Sequence, residues 1–211
     1  MSTKYLSLLQ QFSGFYGKIP ALGDFVSRGL KTEIVNTLDS WLTDYMSALP
    51  LVLPNYQTDW ESLPIWRFIT AQSIFSEHIC VGLLASSYDS VGRLFPVVIL
   101  YEVLSEHELQ QMLCYDEHMW LFDVEDIIYA ARYQHLEADG LFKAINRLSP
   151  SYLKPVLSQS SDKTLAIWSK CLEVLHSTGS LWWYEGKQGT TYCHYSKLPK
   201  GADFVKHYQR V

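Results

Sequence analysis

A chain of 211 residues and 24.3 kDa with 48% hydrophobic residues can bury a sizeable core, fits one domain over residues 1–211, and is not the composition of a disordered polypeptide. A formal net charge of −5, with no dense Lys/Arg run, argues against nucleic acid as a partner. Met1–Gln11 carries one Lys and no apolar run of signal-peptide length, and no segment approaches the roughly 18 apolar residues of a membrane span, so a cytoplasmic protein without membrane insertion is expected.

In chain order, Phe15–Ile19 reads as a short strand that must end in a turn. Pro20 fixes φ and lacks an N–H, Gly23 permits positive φ, and Asp24 can bond neighbouring amides. Thr32–Leu49 reads as a helix, with Ile34, Val35, Leu38, Trp41, Leu42, Tyr45 and Leu49 at helical spacing, Thr32 opening it and Pro50 closing it. Leu51–Leu53, between Pro50 and Pro54, reads as a crossing loop. Three strands follow, at Ile65–Thr70, Ile79–Ser86 and Leu94–Tyr101, with turn chemistry at Ser73–His78 and Asp89–Gly92. Their short links make them antiparallel neighbours. Being apolar at odd and even positions alike, they need cover on both faces.

Ser105 and Glu108 form a capping box ahead of Leu109, Met112 and Leu113. Ile127, Ile128, Ala131, Leu141 and Ile145 place two helices between Glu125 and Leu148, broken near Ala138–Gly140, and Pro150, Pro155 and Ser158–Lys163 make a second loop region. Thr164–Trp168, Ser180–Glu185 and Thr190–Tyr195 read as strands, the last two joined by a hairpin turn at Gly186–Gly189, and Gly201–His207 as a short final helix. The expected fold is α/β of the α+β type: a single-domain, three-layer α/β/α sandwich around a mainly antiparallel sheet of about six strands.

Cys80, Cys114, Cys171 and Cys193 are widely spaced with no CxxC pair, so buried reduced thiols are expected rather than a zinc or redox site. GKIPALGD lacks the GK[ST] ending of a phosphate loop, and Gln111 stands where His107–Glu108 would need a second His to complete HExxH. Cys193–His194 with His176 fits neither zinc-ligand spacing nor a nucleophile turn. No cofactor, metal or catalytic residue is assigned.

The candidate functional charges are Lys18, Asp24, Arg67, Asp89 and Arg93. Arg67 alternates with Ile65 and Ile69, so its guanidinium is expected in an apolar layer where it needs a carboxylate, with Asp24 and Asp89 the expected partners. Two readings stay open: an Arg–Asp lattice that holds two loops to the sheet, or a polar cleft or partner-docking edge built from those loops. Trp182 and Trp183, adjacent on a strand, should send one indole to each face, either under covering helices or, for one of them, outward beside Tyr184 as a partner anchor.

Four motifs in order, Gly17–Phe25 (GKIPALGDF), Trp66–Phe68 (WRF), Asp89–Pro96 (DSVGRLFP) and Trp182–Trp183, resemble those of the TagF/ImpM family of accessory proteins of the bacterial type VI secretion system. The matching positions are Gly17, Lys18, Pro20, Gly23, Asp24, Phe25, Trp66, Arg67, Phe68, Asp89, Gly92, Arg93, Pro96, Trp182 and Trp183, and a late Leu198–Pro199 element extends the similarity. The resemblance implies a cytoplasmic, post-translational repressor that binds a component of the apparatus, associated with its forkhead-associated scaffold protein. It implies no catalysis. Some members are fused to a metal-dependent phosphatase, but here Asp139–Gly140 runs into Leu141–Phe142 without the second Gly of that motif. The alternative is a small enzyme or ligand-binding protein using the polar loops around Asp24, Arg67 and Arg93.

Overall fold

Among the residues described by the computed structural model, 13–114, 119–148 and 162–210, seven strands make one antiparallel sheet. The strands are β1 (Ser13–Gly17), β2 (Val26–Arg28), β3 (Trp66–Thr70), β4 (Ile79–Ala85), β5 (Val97–Val103), β6 (Ser180–Gly186) and β7 (Gly189–Tyr195), in the order β2-β1-β5-β4-β3-β6-β7. β3, β4 and β5 form the expected meander. β1 pairs beside β5 with Phe15 opposite Ile99, and β6 returns beside β3 with Arg67 opposite Trp183 and Phe68 opposite Trp182.

Alternation along these strands feeds two cores. One face carries Ile69, Val81, Leu83, Ile99, Leu181 and Trp183 beneath helices α3 (Glu106–Cys114), α4 (Met119–Tyr133), α5 (Ala138–Arg147) and α6 (Asp162–Leu175). The other carries Trp66, Phe68, Leu84, Val98, Leu100 and Trp182 beneath α1 (Thr32–Val52) and, beyond the short α2 (Tyr56–Asp59), α7 (Gly201–Val205). The three-layer α+β architecture is thus present, and Trp182 and Trp183 do point to opposite faces. Both are buried, so neither indole is an exposed anchor.

Several boundaries differ from expectation. Residues 164–168 lie in α6, not in a strand: Ile167, Cys171 and Val174 face the core at a helical period that a five-residue window cannot reveal. Helix α1 runs through Pro50 to Val52, so residues 51 and 52 are helix end rather than loop. Pro50 sits in the last turn, where burial of Ala48 and Leu49 and the bond from the Leu53 amide to the Leu49 carbonyl at 2.8 Å hold the helix together. Helix α4 begins at Met119, and the break before α5 falls at residues 134–137, with His135 at φ 50°, so Asp139 and Gly140 are helical. β2 was not expected, and residues 94–96 precede β5 rather than belonging to it.

The capping box forms, with Ser105 Oγ accepting the Glu108 amide at 3.2 Å and Glu108 Oε2 accepting the Leu104 amide at 2.9 Å. Of the predicted loop at 158–163, Asp162 and Lys163 open α6; Pro150, Pro155 and the remainder lie outside the described residues. Cys80, Cys171 and Cys193 are buried. No helix among the described residues is long and apolar enough to cross a membrane.

Candidate functional site: two loops locked at one end of the sheet

Because β1 and β5 are neighbours, the loop leaving β1 (residues 18–25) and the loop entering β5 (residues 86–96) emerge side by side. Gly17 makes the exit possible. Its φ is 138°, and a Cβ there would lie 2.1 Å from the Pro96 carbonyl oxygen. The Lys18 amide then donates to that same carbonyl at 3.3 Å, and buried Pro20 turns the chain outward.

Asp89 organises the second loop. Its Oδ1 accepts the amides of Val91 at 3.1 Å and Arg93 at 2.9 Å, while Gly92, at φ 81°, completes the turn. Its Oδ2 receives the Lys18 ammonium at 2.9 Å and Arg93 Nε at 2.7 Å, and the Arg93 Nη2 continues to the Gly23 carbonyl oxygen. Burial alone would raise the Asp89 carboxyl, but Lys18 and the amides and guanidinium around it outweigh that cost and hold it well below the usual carboxylate range. From below, Trp60 Nε1 donates to the Ser87 carbonyl at 2.6 Å.

The frame leaves three apolar side chains facing outward. Leu22, Phe25 and Val91 are 37%, 45% and 70% exposed, and the Ser90 amide ties the two loops together by donating to the Leu22 carbonyl at 2.9 Å. Phe25 is anchored although exposed: it meets Phe95 edge-on at 4.7 Å, stacks on Tyr16 at 6.1 Å and lies 4.9 Å from the Lys18 ammonium. Asp24 is exposed, and its Oδ1 accepts the Phe25 amide at 2.8 Å, which fixes the loop's exit.

Gly17, Lys18, Pro20, Gly23, Asp24, Phe25, Asp89, Gly92, Arg93 and Pro96 therefore share this end of the sheet, whereas Trp66, Arg67, Phe68, Trp182 and Trp183 belong to β3 and β6. Arg67 is buried as expected, but neither Asp24 nor Asp89 is its partner. Its Nη2 lies 2.6 Å from Glu125 of α4, its Nη1 3.3 Å from Glu185 of β6, and the Phe122 ring covers it at 4.6 Å. For Asp24 the reason is topological, since β4 and β5 separate β3 from β1, whose loop carries it; Asp89, on the β4–β5 loop, is taken up by Lys18 and Arg93. Burial pushes the Glu125 carboxyl up, with Arg67 opposing. Glu125 and Phe122 lack a local signal, since their approach depends on how α4 docks; Leu22 and Val91 carry a faint one, as apolar residues within otherwise polar turns. Among the described residues no group of three or more His, Cys, Asp or Glu could hold a metal ion.

A seven-stranded antiparallel sheet covered on both faces, with two cross-braced loops at one end, defines the class: an α+β protein presenting a rigid loop pair. The chain belongs to the family of the TagF N-terminal domain, type VI secretion system-associated, which matches residues 14–148. It is also similar to a solved structure, that of PA0076 from Pseudomonas aeruginosa PAO1, at 25% identity and a TM-score of 0.73 over 92% of each chain. No curated protein matches the sequence. Both loops and Arg67 lie within the family match; Trp182 and Trp183 lie beyond it.

Proposed function

We propose that this protein is a non-enzymatic negative regulator of type VI secretion, acting after translation in the cytoplasm by binding a component of the apparatus through the two locked loops. Membership of a type VI secretion-associated family supports the system. The observation that carries the mode of action is the exposure of Leu22, Phe25 and Val91 on loops whose charges are committed to bracing. Apolar side chains held outward by a rigid frame lose little further freedom on binding, which favours partner contact. Asp89, buried and held ionised by its donors, is suited to bracing rather than to proton transfer. The forkhead-associated scaffold protein is the partner proposed from the family resemblance, and the continuity of the sheet from β1 to β7 favours one domain acting as a unit.

Overproduction in a bacterium with an intact type VI locus tests the reading. Secretion should fall, and the tagged protein should retain the scaffold on affinity purification. Unchanged secretion would defeat the regulatory assignment, and turnover of a co-purifying metabolite would defeat the non-enzymatic one.

A further inference from the structure

Away from these loops, a cavity of about 230 Å³ is lined by Arg67, Glu125, Tyr129, Arg132, Glu185 and the segment preceding β3. Arg67 is engaged by both glutamates. Arg132 is not: it is 2% exposed, and its Nε and Nη2 make no hydrogen bond with any described residue. Its guanidinium carbon lies 5.4 Å from the centre of the Tyr133 ring, a contact that satisfies no N–H. A guanidinium keeps its charge at any physiological pH, and burying one without acceptors works against folding. The acceptor that suits it must reach it through the cavity it lines.

The walls narrow the choice. Glu61, Glu125 and Glu185 stand in the same lining, the last two paired with Arg67, so a dianion such as phosphate meets like charge, whereas a single carboxylate can take the Arg132 guanidinium with less repulsion. The volume is below the roughly 300–1,000 Å³ of sites for drug-sized ligands, enough for an acidic head group and too small for a nucleotide. We propose that this cavity is a carboxylate-binding pocket in which Arg132 grips one carboxylate group, borne by a small organic acid or by an acidic side chain of another protein.

Thermal unfolding at constant ionic strength, titrating acetate, succinate, glutamate blocked at both backbone ends, and inorganic phosphate against a chloride control, provides the test. Carboxylates should raise Tm saturably. Arg132→Met should abolish that rise, while its Tm without added acid should equal or exceed that of the wild type, because an unpaired buried charge is removed. Arg132→Lys, which keeps the charge and loses the fork, should bind about tenfold more weakly and serves if the Met variant does not fold. Blocked glutamate saturating at the lowest concentration identifies a protein side chain as the source, and succinate or acetate doing so identifies a free acid; either supports the pocket. The proposal is overturned if carboxylates act no differently from chloride, if phosphate acts at lower concentration than every carboxylate, or if the folded Arg132 variants respond like the wild type.

Discussion

Lys18 and Asp89 meet at 2.9 Å between two loops, with both side chains withdrawn from solvent. This pair, extended by Arg93 to the Gly23 carbonyl, converts two separate turns into one rigid unit. Its energetics follow from burial: an ion pair out of water contributes little net stability, but removing one member strands the other.

Asp89→Asn should therefore destabilise the protein by about 3–5 kcal/mol at neutral pH, because Lys18 is left buried without its carboxylate. The pH dependence has a definite sign. The folded-state pKa of Asp89 is depressed, so its contribution is fully present above the unfolded value of about 4 and is lost as pH falls from there toward the folded value. Urea unfolding at pH 7, 5, 4 and 3 should show the wild type and Asp89→Asn converging on acidification. A constant gap across that range would show that the carboxylate's charge is not what stabilises the loops.

Arg67→Ala should cost about 3–5 kcal/mol, since Glu125, whose side chain is only 15% exposed, loses its 2.6 Å partner. Glu125→Gln should cost less, because a neutral amide can still accept the guanidinium's hydrogen bond. Chemical denaturation of the two variants measures this order, and equal or reversed losses would reject the charge-pair account.

What was legible in the sequence was local. Pro20, Gly23 and Asp24, or Asp89, Gly92 and Arg93, announce turns by their own backbone chemistry, and the two-sided apolarity of β3, β4 and β5 predicts cover on both faces. The burial of Arg67 was legible from Ile65 and Ile69, as was its need for a carboxylate. Its partners were not, because Glu125 and Glu185 arrive from elements whose docking no local pattern encodes. The helical period of α6 emerges only over Ile167, Cys171 and Val174, well past the short apolar run that resembles a strand.

Two of the motif glycines, Gly17 and Gly92, separate conformational strain from steric exclusion. At Gly92, with φ 81° and nothing within 4 Å of an added Cβ, alanine should cost about 1–2 kcal/mol from the left-handed backbone alone. At Gly17 the Cβ also collides with the Pro96 carbonyl at 2.1 Å, so β1 and β5 would have to separate at the point where both loops begin. Gly17→Ala should lower Tm clearly more than Gly92→Ala and should loosen the Lys18 amide in hydrogen exchange. Equal shifts would mean that the contact between β1 and β5 yields easily.

The loop pair also dictates which variants can test partner binding. Reversing Lys18 would place a second carboxylate beside buried Asp89 and unfold the frame, so loss of function there would report on stability rather than on contact. Arg93, although 59% exposed at its side chain, still braces Asp89 and the Gly23 carbonyl. Clean probes are Leu22→Asp and Val91→Asp, which put a charge on the outward apolar surface and leave the Lys18–Asp89–Arg93 lattice intact. Each should keep the circular dichroism of the wild type and remain within about 1 kcal/mol of its stability, since substitutions at exposed positions rarely do more. Each should also weaken repression of type VI secretion and retention of the scaffold by at least tenfold, as expected for an interface anchor worth more than about 1.4 kcal/mol. If both variants fold and repress fully, the locked loops are not the contact face.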